Sequence, residues 1–405
     1  MTTQANRRLP TGVYLLGFSL FAMGSAEFLL AGVLPEVATD LDVPLSSAGM
    51  LITAFAMGVV LGGPPFAVLS LRWPRRTTLV VTQAAFAISI GVGLLGDYPV
   101  LLVSRIVAGV AYAGFFAVAS VTAIGLVTPD RHARASGAVV SGLSVAMVAG
   151  GPMGTLLSHF SGWRGGFWAV VVLTLVGIAG CVLGIHSVTT GSRPSTDVTR
   201  EFATIRTPRL WVIYAITILT TAAYMITFNY SAAMLADITG LAEVWIPAVL
   251  ALFGIGAFAG LSIGGRIADR RPHLALATGA GSIVVLSIVL AATMRHAWIV
   301  VPTIFLLGVA AFVLNPALYG RVFAIAGSAP TLAGATTVSA FQLGISGTPV
   351  LAAVTLSHGT ALTSVCLIGV VLALLALPLI RLDQSRQDRT PAQHAAAQPS
   401  AAELG

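Results

Sequence analysis

The chain has 405 residues, 57% of them hydrophobic and only 9% charged, with a formal net charge of +7. Soluble domains carry about 25% charged residues, so a water-exposed globule is excluded and the apolar excess must face lipid. All 21 basic residues are arginines, and without Lys no phosphate-binding loop of the Gly-x-x-x-x-Gly-Lys type exists to draw work from a nucleotide.

A need for about 20 apolar residues per crossing predicts twelve spans. They fall at residues 12–34, 46–69, 77–95, 100–126, 135–157, 164–185, 209–236, 244–267, 274–294, 298–322, 332–356 and 361–379. The first span begins like a signal peptide, with Arg7 and Arg8 before an apolar run. It is too long for an h-region, carries Glu27 and lacks a cleavage site, so it reads as an uncleaved helix. The expected fold class is all-α integral membrane, with twelve transmembrane helices in two six-helix, pseudo-symmetric bundles. Residues 1–186 form the N-terminal bundle, 187–208 a cytoplasmic interdomain loop, 209–382 the C-terminal bundle and 383–405 a disordered cytoplasmic tail. Every arginine except Arg105, Arg164 and Arg295 falls in the termini and even-numbered loops. The positive-inside rule therefore places both termini in the cytoplasm. The arginines lie between spans and form no single stripe, so nucleic acid is not an expected partner.

The two halves echo each other. Arg72, Pro74 and Arg75 match Arg270, Pro272 and His273 at an offset of 198. Gly109 matches Gly308 at 199, and Pro152 matches Pro349 at 197. Such repeats, with a site near the midplane, suit alternating access by rocking one half against the other.

Glu27 and Arg105 are the charges that fall deep inside the predicted apolar spans; the others stand in loops, tails or at span ends. Charge in hydrocarbon is costly and marks a pathway or a pair. Counting 1.5 Å per residue puts Glu27 about 10 Å and Arg105 about 8 Å from the same outer face, a level at which they could pair. Two readings stay open: Glu27 is a proton- or substrate-responsive acid with Arg105 its partner, or the two form a permanent pair that only fixes helices. Met23, Tyr112, Phe116, Tyr224, Asn229, Tyr230, Asn315 and Gln342 are candidate substrate contacts, suited to a mostly apolar ligand with several hydrogen-bonding groups. Each could equally serve as packing or as an interhelical hydrogen bond. Cys181 and Cys366 stand alone and the histidines are scattered, so neither a disulfide framework nor a metal site is expected, and no cofactor.

Three motifs carry a resemblance. Gly265, Asp269 and Arg270 match Gly-x-x-x-Asp-Arg-x-Gly-Arg, from which Pro272 and His273 depart. Its first-half copy has Ala67 for the Gly and Leu71 for the acid, and keeps Arg72, Arg75 and Arg76. Residues 101–109 are similar to a buried-arginine motif, and Gly150, Gly151, Pro152 and Gly154 resemble an antiporter signature. On these residues the chain, from 12 to 382, resembles the major facilitator superfamily, specifically its twelve-span drug:proton antiporters. The stretches 22–35 and 72–76 look like those of actinomycete chloramphenicol-resistance efflux proteins. Residues 328–335 resemble a wider group that includes sugar and nucleoside efflux permeases. The resemblance implies the major facilitator fold and proton-coupled export of small, mostly apolar drugs, chloramphenicol or related amphenicols foremost. It implies no enzyme activity and a monomer in the cell membrane, with drug, protons and bilayer as partners. Gly265, Asp269, Arg270, Arg72 and Arg76 would belong to a cytoplasmic gate, or the arginines would serve simply as inside-positive anchors. Efflux of a sugar or nucleoside is the alternative; a membrane enzyme or a transport-dead sensor are further ones.

Overall fold

A computed structural model describes residues 9–69, 74–128, 131–185, 204, 206–327, 330–358 and 360–396. The described chain is helical almost throughout. Its helices are α1 (Thr11–Asp40), α2 (Leu45–Leu69), α3 (Arg75–Leu95), α4 (Tyr98–Gly125), α5 (His132–Val145), α6 (Gly151–Gly184) and α7 (Pro208–Asn229). There follow α8 (Ser231–Asp237), α9 (Ile246–Ala268), α10 (Pro272–Thr293), α11 (Ala297–Ala326), α12 (Pro330–Ser357) and α13 (Ser364–Ala396). Proline opens several of them, with Pro99, Pro208, Pro247 and Pro272 in first turns. There its missing N–H costs nothing and its fixed φ suits the helix.

Among the described residues, eleven helical stretches are long and apolar enough to cross a membrane. One of them, Gly137–Gly184, is 48 residues long. As a straight helix it would measure about 72 Å, more than twice the ~30 Å hydrocarbon core. It is not straight: Gly162 sits at φ 72°, ψ 162°, a backbone conformation natural to glycine, and breaks the helix. Before that break, a π-helical turn at Ala146–Gly150 joins α5 to α6 just ahead of Pro152. The proline cannot donate to the helix ladder, and the wider turn absorbs the loss.

Several boundaries differ from expectation. The first helix runs six residues past 34, through Pro35 to Asp40, where Thr39 Oγ1 donates to the Pro35 carbonyl. The expected seventh span is interrupted at Tyr230, between α7 and α8. At the other end, α13 runs on from Ser364 to Ala396, past residue 383 where the tail is expected to begin. The loop 187–203, Arg72 and residues 397–405 lie outside the described residues.

Helices α1–α6 pack mainly on one another, as do α7–α13. Within each set the tightest crossing is built alike: α2 on α4, and α9 on α11. A Cβ on Gly58 would stand 2.2 Å from Ile106 O, and one on Gly109 2.1 Å from Phe55 O. One on Gly256 would stand 2.2 Å from Phe305 O, and one on Gly308 2.2 Å from Phe253 O. Only glycine permits backbones this close. Partners in one crossing match those in the other at offsets of 198 and 199, so the repeat seen in the sequence recurs as a repeated contact.

The bundle has two distinguishable ends. At the end carrying the α1–α2 turn, here the distal end, Arg164 pairs closely with Asp40 and stacks 4.4 Å over Trp163. Trp163 Nε1 also donates to Asp40, at 3.1 Å. The helix sets meet through α2 against α12, and through the π turn and α6 against α9. Thr53 Oγ1 of α2 donates to Ser346 O of α12 at 2.9 Å. Toward the distal end the Tyr230 hydroxyl lies against Gly49, and His159 faces Glu243 at 3.8 Å.

Candidate functional site

Glu27 lies in the middle of α1, and α6 comes unusually close to it there. A Cβ on Gly150 would collide with Ser25 Oγ, one on Gly151 with Phe28 Cβ, and one on Gly154 with Leu29. These are the neighbours of Glu27 on α1. The antiporter-like stretch thus shapes the wall around the acid, through missing side chains rather than through polar ones.

Arg105 reaches the same place from α4. Its guanidinium is buried, 4.6 Å from the Phe55 ring centre and 5.8 Å from that of Phe167. Nη1 donates to Ala26 O at 3.5 Å and Nε to Leu51 O at 3.4 Å. Both bonds are long against the usual 2.7–3.2 Å. Glu27 feels the charge of Arg105, yet among the described residues no ion pair within 4 Å joins them. Arg105 Nη1 reaches the carbonyl of Ala26, next to Glu27 in the chain, so the two charges lie at one level of the bundle. Glu27 is half-buried, its charge neither solvated in bulk water nor neutralised by contact.

The C-terminal helices complete the surroundings. The Gln342 amide of α12 sits beside the Glu27 carboxylate. Tyr112 of α4 and Tyr224 of α7 lie within electrostatic range of it, and both face Tyr319 of α11. Aromatic rings form the walls. Phe28 meets Phe228 edge-on across the two sets at 6.5 Å, and Phe228 stacks on Phe253 at 4.4 Å. Tyr112 packs between Phe55 and Phe116, and Tyr224 against Phe312. Oε1 of Gln342 and Oδ1 of Asn315 are buried without a hydrogen-bond partner. The arrangement brings aromatic rings and buried amide oxygens from the C-terminal helices to one acid shared between the helix sets.

Other expected contacts are placed differently. Asn229 Nδ2 donates to Thr348 Oγ1 at 3.0 Å, an interhelical tie. Tyr230 is fully buried against Gly49 between the sets. Met23 is fully buried in the core of α1. Of the motif residues, Asp269 and Arg270 are exposed, and among the described residues they form no ion pair. Arg76 donates to Val182 O and ties α3 to the end of α6.

Sequence reasoning missed a second charged centre. Asp383 is fully buried, just past the middle of α13. Arg321 of α11 grips it with Nε at 2.9 Å and Nη2 at 2.8 Å, and His273 Nε2 lies at 2.9 Å. Arg209 Nε, at the start of α7, stands 3.5 Å away. His273 is one of the residues that departs from the loop motif, so the departure has a partner. The missed signal was an acid directly after Leu382, at the edge of an apolar run and level with Arg321.

A multi-pass helical membrane protein whose two helix sets enclose one shared internal acid is built as a membrane transporter. The chain belongs to the Major Facilitator Superfamily, whose family model matches residues 16–349. It is 39% identical over 355 residues to a chloramphenicol resistance protein of Streptomyces lividans, covering 87% of this chain and 91% of that one. It is 30% identical over 330 residues to the inner membrane transport protein YdhP of Escherichia coli K12, covering 81% and 84%. Among solved structures it is similar to a bacterial homolog of the human lysosomal transporter Spinster, in an inward-facing and unoccupied conformation. That match has a TM-score of 0.73 at 16% identity and covers 94% and 98% of the chains. The nucleoside transporter NupG matches with a TM-score of 0.71 at 13% identity, over 92% and 99%.

Proposed function

We propose that the protein exports small, mostly apolar drugs, chloramphenicol or a related amphenicol foremost, in exchange for protons. The observation that carries this reading is the state of Glu27. It is an acid in the membrane interior with a cation near but not in contact, bordered by both helix sets. A charge there is expensive to keep, and a proton or a bound ligand can change that cost. Arg105 offsets part of it without locking the carboxylate in place. Because Gln342 and Tyr224 approach from the second set, a change at Glu27 is felt by both halves.

The break at Gly162 divides the 48-residue stretch into two crossings. With the other ten apolar helices this makes twelve, arranged as bundles at 1–186 and 209–382. The arginine distribution puts both termini in the cytoplasm of the cell membrane. The contacts toward the distal end then seal the outer side, and the site would be reached from the cytoplasm. One chain supplies every side of the site, so a monomer suffices.

Everted vesicles test the reading. Adding the drug should collapse a preset pH gradient, and an uncoupler should stop drug accumulation. Export of chloramphenicol that ignores the uncoupler would overturn proton coupling. Accumulation of chloramphenicol by expressing cells as in controls would overturn the substrate, and a panel of sugars and nucleosides would then follow.

A further inference from the structure

Two buried, unpartnered acceptors on the C-terminal helices, one of them beside Glu27, say what a substrate must offer. Gln342 is only 5% exposed, and its amide lies against the Glu27 carboxylate. A carboxylate can only accept hydrogen bonds, so the amide must turn Nε2 toward it. Oε1 is left as the free end, buried and without a partner. On α11, Asn315 lies one turn before Tyr319, on the same helical face. Its Oδ1 is likewise buried and unpartnered. On that face of α11, Phe312 packs against Tyr224 of α7 at 5.8 Å and Tyr319 stacks on Phe341 of α12 at 5.5 Å, while Tyr224 and Tyr112 lie within electrostatic range of Glu27. Asn315, between Phe312 and Tyr319 in that helix, and Gln342, next to Phe341, therefore both belong to the region where α7, α11 and α12 meet.

We infer that Gln342 and Asn315 are specificity-determining acceptors, selecting substrates that present hydroxyl or N–H donors to the C-terminal helix set. The inference rests on the drug-export reading and adds to it the chemistry of recognition. A buried acceptor gains nothing from an apolar ligand that displaces water from it. It is satisfied by a donor, and a site built this way rejects the analogue lacking that donor. The aromatic walls tolerate varied apolar bodies, so discrimination falls to these two oxygens. Glu27 takes part indirectly, since its charge fixes which end of the Gln342 amide is offered.

Thiamphenicol and florfenicol provide the probe. They differ by one hydroxyl replaced with fluorine, which is similar in size and cannot donate. The purified protein in proteoliposomes should transport thiamphenicol with a kcat/KM about tenfold or more above that of florfenicol. Gln342→Leu or Asn315→Leu, whichever removes the oxygen that accepts from this one hydroxyl, should pull that ratio toward one by slowing thiamphenicol alone. The ratio is independent of how much protein folds, so a purely structural role for either residue would leave it unchanged. Equal handling of the two drugs by the unaltered protein overturns the inference and leaves drug export standing. So does a ratio that survives both substitutions. Transport of neither drug overturns the amphenicol reading itself, and the inference falls with it.

Discussion

Glu27 and Asp383 are two acids in one bundle, and their surroundings differ in kind. Asp383 is fully buried, and Arg321, His273 and Arg209 all reach it within 3.5 Å. Every one of these partners lies in the C-terminal helix set, at the starts of α7 and α10 and near the end of α11. Glu27 is half-buried with no contacting cation among the described residues, and its neighbours come from both sets. A satisfied carboxylate within one set is a fastener. One between two sets, with an amide beside it and no contacting cation, is free to respond to what arrives. Ion pairing, more than burial, separates the two acids.

The largest expected effect follows from removing the charge that stays unpaired. Glu27→Gln should abolish pH-gradient-driven export while the protein folds and binds detergent normally. Drug exchange without a gradient, measured as counterflow of labelled against unlabelled drug, should persist. Gradient-driven export that survives this substitution would make Glu27 a spectator.

Asp383→Ala should do the opposite. It strands Arg321 in the interior, and breaking one partner of a buried pair costs about 3–5 kcal/mol. Thermal unfolding in detergent should shift down accordingly, while export per folded molecule is retained. Replacing both partners, Asp383→Leu with Arg321→Met, should recover much of the loss, because apolar packing can stand in for a buried pair. Loss of coupling in the double variant, with stability restored, would move the Asp383 cluster from fastener to mechanism.

That cluster also shows where the sequence was legible. Glu27 and Arg105 stand out because apolar residues flank both for many positions. Asp383 does not, because hydropathy falls at Leu382 and a polar stretch with Gln384, Arg386 and Gln387 follows. Ordering the helix beyond that point depends on tertiary contacts from α7, α10 and α11, which no local pattern reveals. Gly109 and Gly308 were legible as an echo; their partners Gly58 and Gly256 emerged only once backbones were seen to touch. Asp269 and Arg270 matched the motif and stayed exposed, whereas His273, which breaks it, found a partner. The family pattern located the loop, and the chemistry within the loop had to be read from space.

The repeated crossing extends the comparison from two acids to two halves. Gly58→Ala and Gly256→Ala would each drive a methyl group into a carbonyl oxygen that belongs to a helix backbone and cannot turn aside. Overpacking of this kind costs about 1–3 kcal/mol, and the near-identical distances predict similar losses in the two variants. Melting points that fall together support two equivalent rigid crossings. A loss confined to one half would mean that the halves differ in stiffness despite their shared plan.

The smallest effect concerns Asn229, which the sequence offered as a ligand contact and the structure places against Thr348. Thr348→Val keeps the shape of the side chain and removes the hydroxyl that accepts from Asn229 Nδ2. Interhelical hydrogen bonds in membranes average about 0.6 kcal/mol, so the melting point should barely move. The test is discriminating for another reason. Freed from Thr348, the Asn229 amide would be available to a ligand if it faced one. Substrate preference, read as the thiamphenicol-to-florfenicol ratio, should stay at its original value in this variant while it collapses in Gln342→Leu or Asn315→Leu. A shift in the ratio would return Asn229 to the binding surface and widen the acceptor set along α7. An unchanged ratio leaves Asn229 an interhelical tie and the discriminating acceptor on α11 or α12.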